Sequence, residues 1–335
     1  MNIDTSKLAG QRVVVTGSAG FIGCHLCESL LEHGACVTAV DDLSAGKEHN
    51  YAPYRNHPHF HHKTVDITDP SALRPLFENG IDIIFHNAAS KKTVCLRDPA
   101  RDLDVNAGGT LNLLLMSVEF GVKKFVHAST GSVYGEPVIF PTNEEHPLNP
   151  RSYYGVSNLA GERYVATFNQ LHGLDTTILR YFHVYGPRQE SNEFGGVVSI
   201  FLRNALEKKN LTVHGDGTQM RSFTWVKDLV NANLLAAIDP RASGEVYNCA
   251  SGIQVSVGEL AEGILRLMGS RTTSTIVHSD WAVGDIKYFD VDNRKIREQL
   301  GMVFDTDFWG RMSDTVDEFI GYLEAYEIQP SAASV

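Results

Sequence analysis

Residues 13–23 read VVVTGSAGFIG, a β-branched run that leads into three glycines. Gly17, Gly20 and Gly23 stand where the apolar run stops and a helical pattern begins. Glycines at such a turn let backbone N–H groups approach a pyrophosphate at the positively polarised N-terminus of a helix. The stretch therefore predicts a strand, a tight turn and a helix that together bind a dinucleotide.

A carboxylate follows this turn at a distance that indicates which dinucleotide binds. Asp41 ends the next β-rich run, 24 residues after Gly17. An acidic residue about 20 residues after the glycines grips the adenosine ribose hydroxyls in folds of this kind. A carboxylate there repels a 2′-phosphate, so the sequence favours NAD over NADP.

Short apolar runs alternate with longer helical patterns in the first half of the chain. We predict strands at 12–16, 36–40, 81–86, 124–128 and 176–180, and helices at 21–33, 107–120 and 157–172. This alternation is typical of the α/β class with a doubly wound parallel sheet, the Rossmann arrangement.

The chain is longer than one ordinary domain of roughly 100–200 residues, so we expect two. After residue 186 the alternation loosens, and helices are predicted near 197–208 and 257–268. We predict an NAD-binding Rossmann domain over 1–186 and a smaller C-terminal substrate-binding domain over 187–335. A segment at about 219–240 is expected to return to the first domain.

Composition excludes several classes of partner. The net charge of −11 disfavours binding to nucleic acid or to an anionic membrane surface, because either would need a basic face. No apolar run reaches about 18 residues, and residues 1–10 lack the pattern of a secretory leader. Five scattered cysteines are unlike a disulfide framework. We expect a cytoplasmic protein with reduced thiols.

Four histidines crowd residues 57–62, which we interpret as a loop. They lack a neighbouring cysteine or carboxylate at ligand spacing, so we predict no metal site.

Motifs along nearly the whole chain carry a family resemblance. They are VVVTGSAGFIG (13–23), VDDLSAG (40–46), FHNAAS (85–90), NAGGTLNLL (106–114), KFVHASTGSVYGE (124–136), SYYGVSNLAGE (152–162), RYFHVYGPRQ (180–189) and HGDGTQMRSFTWVKDLVNA (214–232). The chain resembles the extended short-chain dehydrogenase/reductase family, in its NAD-dependent nucleotide-sugar epimerase/dehydratase branch, and UDP-sugar 4-epimerases in particular.

The resemblance implies a seven-stranded parallel sheet, NAD as cofactor, a nucleotide-diphosphate sugar as substrate and a homodimer formed through paired helices. It places the cofactor against Gly17, Gly20, Phe21, Ile22, Gly23, Asp41, Asp42, Asp66, Ile67, Ala88, Ala89, Lys91, Asn106, Tyr154, Asn158 and Tyr181.

Removing a hydride from a sugar carbinol requires a base for the hydroxyl proton. By resemblance, Tyr154 is that base and Thr130 faces the same hydroxyl, with Asn158 at the third catalytic position. A free phenol has a pKa of about 10, so neighbouring positive charge must lower it. Thr130 has an alternative role as a backbone cap.

The residues after Thr130 favour one reaction. Relatives that eliminate water or remove a carboxyl group have an acid there, whereas this chain has Gly131 and Ser132. Elimination of water needs a general acid for the leaving hydroxyl, so the neutral pair favours epimerisation through a transient 4-keto sugar. The resemblance assigns substrate contacts to Ser132, His183, Arg188 and Arg221, the two arginines at the diphosphate.

The chain departs from the family pattern at three places. Asn158 stands where the family has a catalytic lysine, His183 replaces an asparagine, and residues 282–285 read AVGD instead of RPGD. Two alternatives to epimerisation stay open: a dehydratase or oxidoreductase that ends at a keto sugar, and a non-catalytic NAD-binding protein.

Overall fold

A computed structural model describes residues 5–90, 92–192, 195–281 and 288–326. Its centre is a seven-stranded parallel sheet with the strand order β11-β6-β5-β4-β1-β2-β3. The strands of the chain are β1 Arg12–Thr16, β2 Cys36–Asp41, β3 Phe60–Thr64, β4 Ile83–His86, β5 Lys124–Thr130, β6 Asp175–Tyr181, β7 Val184–Tyr185, β8 Leu211–His214, β9 Met220–Ser222, β10 Thr224–Trp225, β11 Glu245–Cys249, β12 Gln254–Ser256 and β13 Ile276–Ser279. The doubly wound parallel sheet is confirmed.

Helices connect these strands. They are α1 Phe21–Glu32, α2 Pro70–Glu78, α3 Lys92–Arg97, α4 Pro99–Leu103, α5 Thr110–Glu119, α6 Tyr153–His172, α7 Val197–Leu206, α8 Val226–Ile238, α9 Val257–Met268, α10 Arg294–Leu300 and α11 Phe308–Tyr326. A π-helical turn, Asp104–Gly109, joins α4 to α5 where the sequence predicted one helix over 107–120. In the described part of the chain, no helix has the length and apolar character that crossing a membrane requires.

The central strands are apolar on both faces because helices cover both sides of the sheet. One apolar layer includes Leu26 of α1 and Leu234 of α8, and the other includes Leu73 of α2 and Leu113 of α5. All four side chains are buried. This double cover explains why β1 and β4 read as unbroken apolar runs in the sequence.

A separate apolar core lies among α7, α9 and α11 in the second half of the chain. The strands outside the central sheet form three pairs, β7 with β10, β8 with β13 and β9 with β12. Helix α8 packs on α1, and β11 pairs with β6 at one edge of the central sheet. The returning part of the chain therefore includes residues beyond 240, while the boundary at residue 186 stays a prediction.

The histidine-rich stretch is not entirely a loop. His61 and His62 lie in β3, the strand at the other edge of the sheet, and four of its five residues are exposed. The interpretation of 57–62 as a loop was wrong because an edge strand with two solvated faces lacks an apolar pattern. Among the described residues, no group of three or more metal-binding side chains lies close enough to hold an ion.

His127 is a buried polar side chain without a hydrogen-bond partner among the described residues. It is 3% exposed in the middle of β5. Burial lowers its pKa to about 4. Burial also lowers the pKa of His86, whose ring lies 5.2 Å from that of His127. Both rings are therefore neutral in the folded chain at neutral pH.

We expect His127→Leu to make the fold less sensitive to acid. An unfolded histidine titrates at a pKa of about 6.5, above the folded pKa of His127, so the unfolded chain binds more protons between these values. The folded state consequently loses stability as the pH falls through this window. Between pH 7 and pH 5, this one group accounts for about 2 kcal/mol.

Urea unfolding at the two pH values measures the effect. Between pH 7 and pH 5, the free energy of unfolding should fall by the same amount in the unmodified protein and in the control variant His61→Gln, which lies on the exposed strand. It should fall by less in His127→Leu. An equal loss in all three proteins would contradict this account.

Candidate active site

The carboxyl ends of four neighbouring strands form the site. In the parallel register, Thr16 of β1 lies beside His86 of β4, and Thr130 of β5 lies beside Tyr181 of β6. Ligands of open α/β sheets bind outside this edge. The turns that follow these strands therefore carry the functional groups.

The turn after β1 approaches the segment after β4 very closely. Gly17 has a φ of +67°, and a Cβ added there would lie 2.7 Å from the backbone nitrogen of Ala88. Only glycine combines this left-handed conformation with this approach. Helix α1 begins at Phe21, and its N-cap, Gly20, leaves the first N–H groups facing the turn. Ile22 and Gly23 follow in the first turn of α1.

Asp41 closes this turn from the next strand. Its carboxylate is 9% exposed and accepts hydrogen bonds of 2.9 Å from the backbone nitrogens of Ala19 and Leu43. Each oxygen of a carboxylate can accept more than one hydrogen bond. Asp41 therefore fits the ribose hydroxyls of a dinucleotide held by the glycine turn.

Two further carboxylates share one arginine. The Arg101 guanidinium lies 3.3 Å from Asp42 and 2.7 Å from Asp66. Ile67, next to Asp66, is buried against Gly109. Sequence reasoning missed Arg101 because it lies 59 residues beyond Asp42 and belongs to no motif.

The segment after β4 is tied to α6 through one side chain. The Asn106 Oδ1 atom accepts a 2.7 Å hydrogen bond from the Ser90 backbone nitrogen. The Asn106 Nδ2 atom donates to Asp102 at 3.0 Å and to the Ser157 hydroxyl at 2.9 Å. Ala88 and Ala89 precede Ser90, whereas Lys91 lies outside the described residues.

Tyr154 lies in the first turn of α6. Ser152 caps this helix by accepting a 3.1 Å hydrogen bond from the Gly155 backbone nitrogen. The Tyr154 phenol faces the Thr130 hydroxyl at the end of β5. Burial raises the pKa of Tyr154 to about 12, and the Thr130 hydroxyl opposes that rise. The structure thus brings the predicted base and its predicted partner together.

Asn158 lies one turn further along α6 and is 3% exposed. Its amide donates a 2.7 Å hydrogen bond to the Tyr154 carbonyl oxygen. Thr130 has a second role, because its hydroxyl also accepts a 3.1 Å bond from the Ser132 backbone nitrogen. Tyr181, beside Thr130, is hydrogen-bonded to Asn87 after β4 at 3.2 Å.

The predicted substrate contacts fall into two groups. His183, just beyond β6, is exposed and has a φ of +34°, a conformation that costs energy for a residue with a Cβ. Arg221 lies on β9 and is 8% exposed. Arg188 instead pairs with Glu28 of α1 and lies 2.8 Å from the His25 ring. Because Glu28 already matches the charge of Arg188, Arg188 is a weaker candidate for binding a diphosphate.

Comparison with known proteins agrees with this geometry. Residues 13–250 match the model of the NAD dependent epimerase/dehydratase family. The chain belongs to that family. It is 37% identical, over 87% of its length and 92% of the relative's, to a UDP-glucose 4-epimerase of Mycolicibacterium smegmatis.

Two solved structures are also similar. The UDP-glucose 4-epimerase of Thermotoga maritima, solved with UDP-glucose, is 35% identical, with a TM-score of 0.87 and coverage of 93% of this chain and 99% of that one. The dTDP-glucose 4,6-dehydratase of Streptomyces venezuelae, solved with NAD bound, is 28% identical, with a TM-score of 0.86 and coverage of 94% and 99%. The predicted family is confirmed, and NAD is the cofactor.

Two of the departures from the epimerase/dehydratase pattern lie in this site. Asn158 donates to the carbonyl oxygen of Tyr154, and His183 lies just beyond the end of β6. The third departure, at 282–285, falls outside the described residues. The assignments of individual residues to cofactor and substrate stay predictions.

The charges around the expected adenosine end predict discrimination against NADP. Asp42 and Asp66 share Arg101, and Asp41 adds a third carboxylate at this end of the sheet, so a 2′-phosphate meets like charge there. We expect Asp41→Ala and the isosteric Asp41→Asn to lower the ratio of the NADP dissociation constant to the NAD dissociation constant about tenfold. This change corresponds to about 1.4 kcal/mol of binding free energy.

Calorimetric titration of cofactor-free protein with NAD and NADP measures the two dissociation constants. The control is Ser44→Ala, a neutral change in the same segment, which leaves their ratio unchanged. Equal or tighter binding of NADP by the unmodified protein would refute the role of Asp41.

Proposed function

We propose that this chain is an NAD-dependent nucleotide-sugar 4-epimerase that acts through a transient 4-keto sugar. The observation that carries the proposal is the pairing of the Thr130 hydroxyl with the Tyr154 phenol at the carboxyl edge of the sheet, with no acid immediately after Thr130. Gly131 packs so closely that a Cβ there would lie 2.3 Å from the Phe182 ring. An acidic side chain at this position would displace Phe182, which disfavours dehydration.

The reaction follows from the roles of these side chains. NAD supplies the acceptor and donor of the C4 hydride. Tyr154, as phenolate, takes the O4 proton while Thr130 binds the same oxygen, so the carbinol becomes a ketone. The keto sugar would then turn in the site and accept the hydride from the reduced cofactor on its opposite face, and Tyr154 would return the proton to O4. Arg221 holds the diphosphate during this turn, and Ser132 and His183 contact the sugar.

The product distribution tests this proposal. Incubated in turn with a UDP-hexose, a UDP-hexosamine and a UDP-hexuronate, the enzyme should convert at least one into an equilibrium mixture of two C4 epimers without net NADH release. Nuclear magnetic resonance of the sugar protons identifies the products. A 4-keto-6-deoxy sugar as main product would instead favour the dehydratase alternative, and NADH accumulation would favour the oxidoreductase.

The missing cation predicts an alkaline pH dependence. The pKa of Tyr154 is raised to about 12 by burial, and Asn158 brings no positive charge to lower it. We expect the rate of the oxidation half-reaction to rise on the alkaline side of neutrality. Asn158→Lys should move this limb down by about one pH unit and raise the rate at pH 7 about tenfold.

Tyr154→Phe tests the base directly. It should abolish turnover while NAD stays bound, because only the phenolic oxygen is lost. Tyr326→Phe is the matched control, since Tyr326 is 47% exposed at the end of α11, outside the proposed dimer helices, and should keep full activity. Full activity in Tyr154→Phe would disprove the tyrosine mechanism. If neither the unmodified protein nor Asn158→Lys turned over any nucleotide sugar, the non-catalytic alternative would be favoured.

We further propose a homodimer formed through α5 and α6. Tyr153, Val156, Tyr164 and Leu171 are exposed on α6 at spacings of three, eight and seven residues, which place them on one face. Leu115 and Val118 are exposed on the adjacent α5. An apolar stripe across two packed helices fits a second copy of itself around a twofold axis.

We expect Tyr164→Glu to shift the protein to monomers in light scattering, because it buries a charge in this interface. Val303→Glu is the matched control, because Val303 is equally apolar and 64% exposed outside α5 and α6. A monomeric unmodified protein, or a dimer that persists in Tyr164→Glu, would contradict this interface.

We also place the enzyme in the cytoplasm and in carbohydrate biosynthesis. All five cysteines are free thiols, which favours a reducing compartment.

A further inference from the structure

A buried carboxyl group lies beneath the catalytic tyrosine and takes no part in the chemistry described above. Asp102 is in α4, immediately before the π-helical turn, and is 1% exposed. An acidic side chain is almost never buried to this degree unless it is bound by donors. Its partners therefore indicate what it does.

The contacts of Asp102 lead to α6. Its Oδ1 atom accepts the 3.0 Å hydrogen bond from Asn106, which also holds Ser157. The Ser157 hydroxyl also lies near the Asp102 carboxyl group and lowers its pKa. It also lies 3.1 Å from the Tyr154 carbonyl oxygen, which Asn158 holds from the other side. One carboxyl thus anchors the backbone of the residue that carries the phenol.

We propose that Asp102 is a positioning residue that holds the first turn of α6, and with it Tyr154, against Thr130. Asn158 donates to the Tyr154 carbonyl oxygen within α6, so this hydrogen bond does not link the helix to a neighbouring element. Asp102 supplies the link from this turn to α4, through Ser157 and Asn106.

This anchor has an electrostatic cost. The groups that act on the Tyr154 phenol are the Thr130 hydroxyl from β5, Asp102 from α4 and Cys95 from α3, and both acids raise its pKa further. Burial raises the pKa of Asp102 as well, against the hydrogen bonds that it accepts. Two neighbouring acids resist ionising together, so the titrations of Tyr154 and Asp102 are coupled.

The variant Asp102→Asn removes the negative charge of residue 102 and keeps a hydrogen-bonding side chain of similar shape. The amide keeps an oxygen for Asn106 and a polar group for Ser157, but it has no negative charge. The pKa of Tyr154 should therefore fall by about one unit, as expected for removal of a charge several ångströms away. The control is Asp228→Asn, because Asp228 is also buried, at 4% exposure, and lies in α8 away from this network.

Ultraviolet absorption reports ionised tyrosine without any turnover. The pH titration of each protein is compared with that of its own Tyr154→Phe derivative, so that the difference belongs to Tyr154. We expect the midpoint of the difference titration to lie at a lower pH in Asp102→Asn than in the unmodified protein. The midpoint in Asp228→Asn should equal that of the unmodified protein. Coincident titrations of Asp102→Asn and unmodified protein would overturn the proposed charge effect.

Ser157→Ala tests the positioning independently and serves if Asp102→Asn fails to fold. It cuts the link to α6 and leaves the charge in place. We expect kcat to fall about tenfold, because Tyr154 is no longer held in its reactive orientation. KM and the alkaline limb of the pH–rate profile should stay unchanged. An unchanged kcat would overturn the positioning role.

The kinetic test rests on the proposed function, whereas the absorption titration does not. If no nucleotide sugar were turned over, the epimerase proposal would fail, and the difference titration would still decide whether the charge of Asp102 acts on Tyr154.

Discussion

The side chain of Asn106 holds the site together. Its carbonyl oxygen binds the segment after β4, and its amide nitrogen binds α4 and α6. It is 3% exposed because it lies in the π-helical turn, where one extra residue per turn shifts the side chains that follow. One amide therefore links the segment after β4, on the expected cofactor side, to the first turn of α6, which carries Tyr154.

Charge nevertheless sets what the site can do. At the expected adenosine end, Asp42 and Asp66 share Arg101, and Asp41 lies at the end of the neighbouring strand, which favours NAD. At the catalytic end, Asn158 is neutral and Asp102 is a buried acid, so the phenolate of Tyr154 is unfavourable at neutral pH. The chain thus retains the geometry of its family with a weaker base. This combination is consistent with an enzyme that works best above neutrality.

Local patterns predicted the parts of the fold that lie at the centre of the sheet. β1 was predicted exactly, and β2 and β6 within one residue at each end, because strands buried on both faces are continuous apolar runs. β3 was missed because FHHKT lies at an exposed edge. The contacts of Arg101, Arg188 and Asp102 were missed for a different reason: their partners are remote in sequence or lie in no motif.

The central claim is that one sugar loses and regains the same hydride within this site. A nucleotide sugar with deuterium at C4 is mixed with the same compound carrying heavy carbon in its hexose ring, and mass spectrometry follows both through epimerisation. The account predicts that both epimers of the first compound keep deuterium at C4 and that none appears in the heavy-carbon molecules. Transfer of deuterium to the heavy-carbon sugar, or its loss from both epimers, would contradict it.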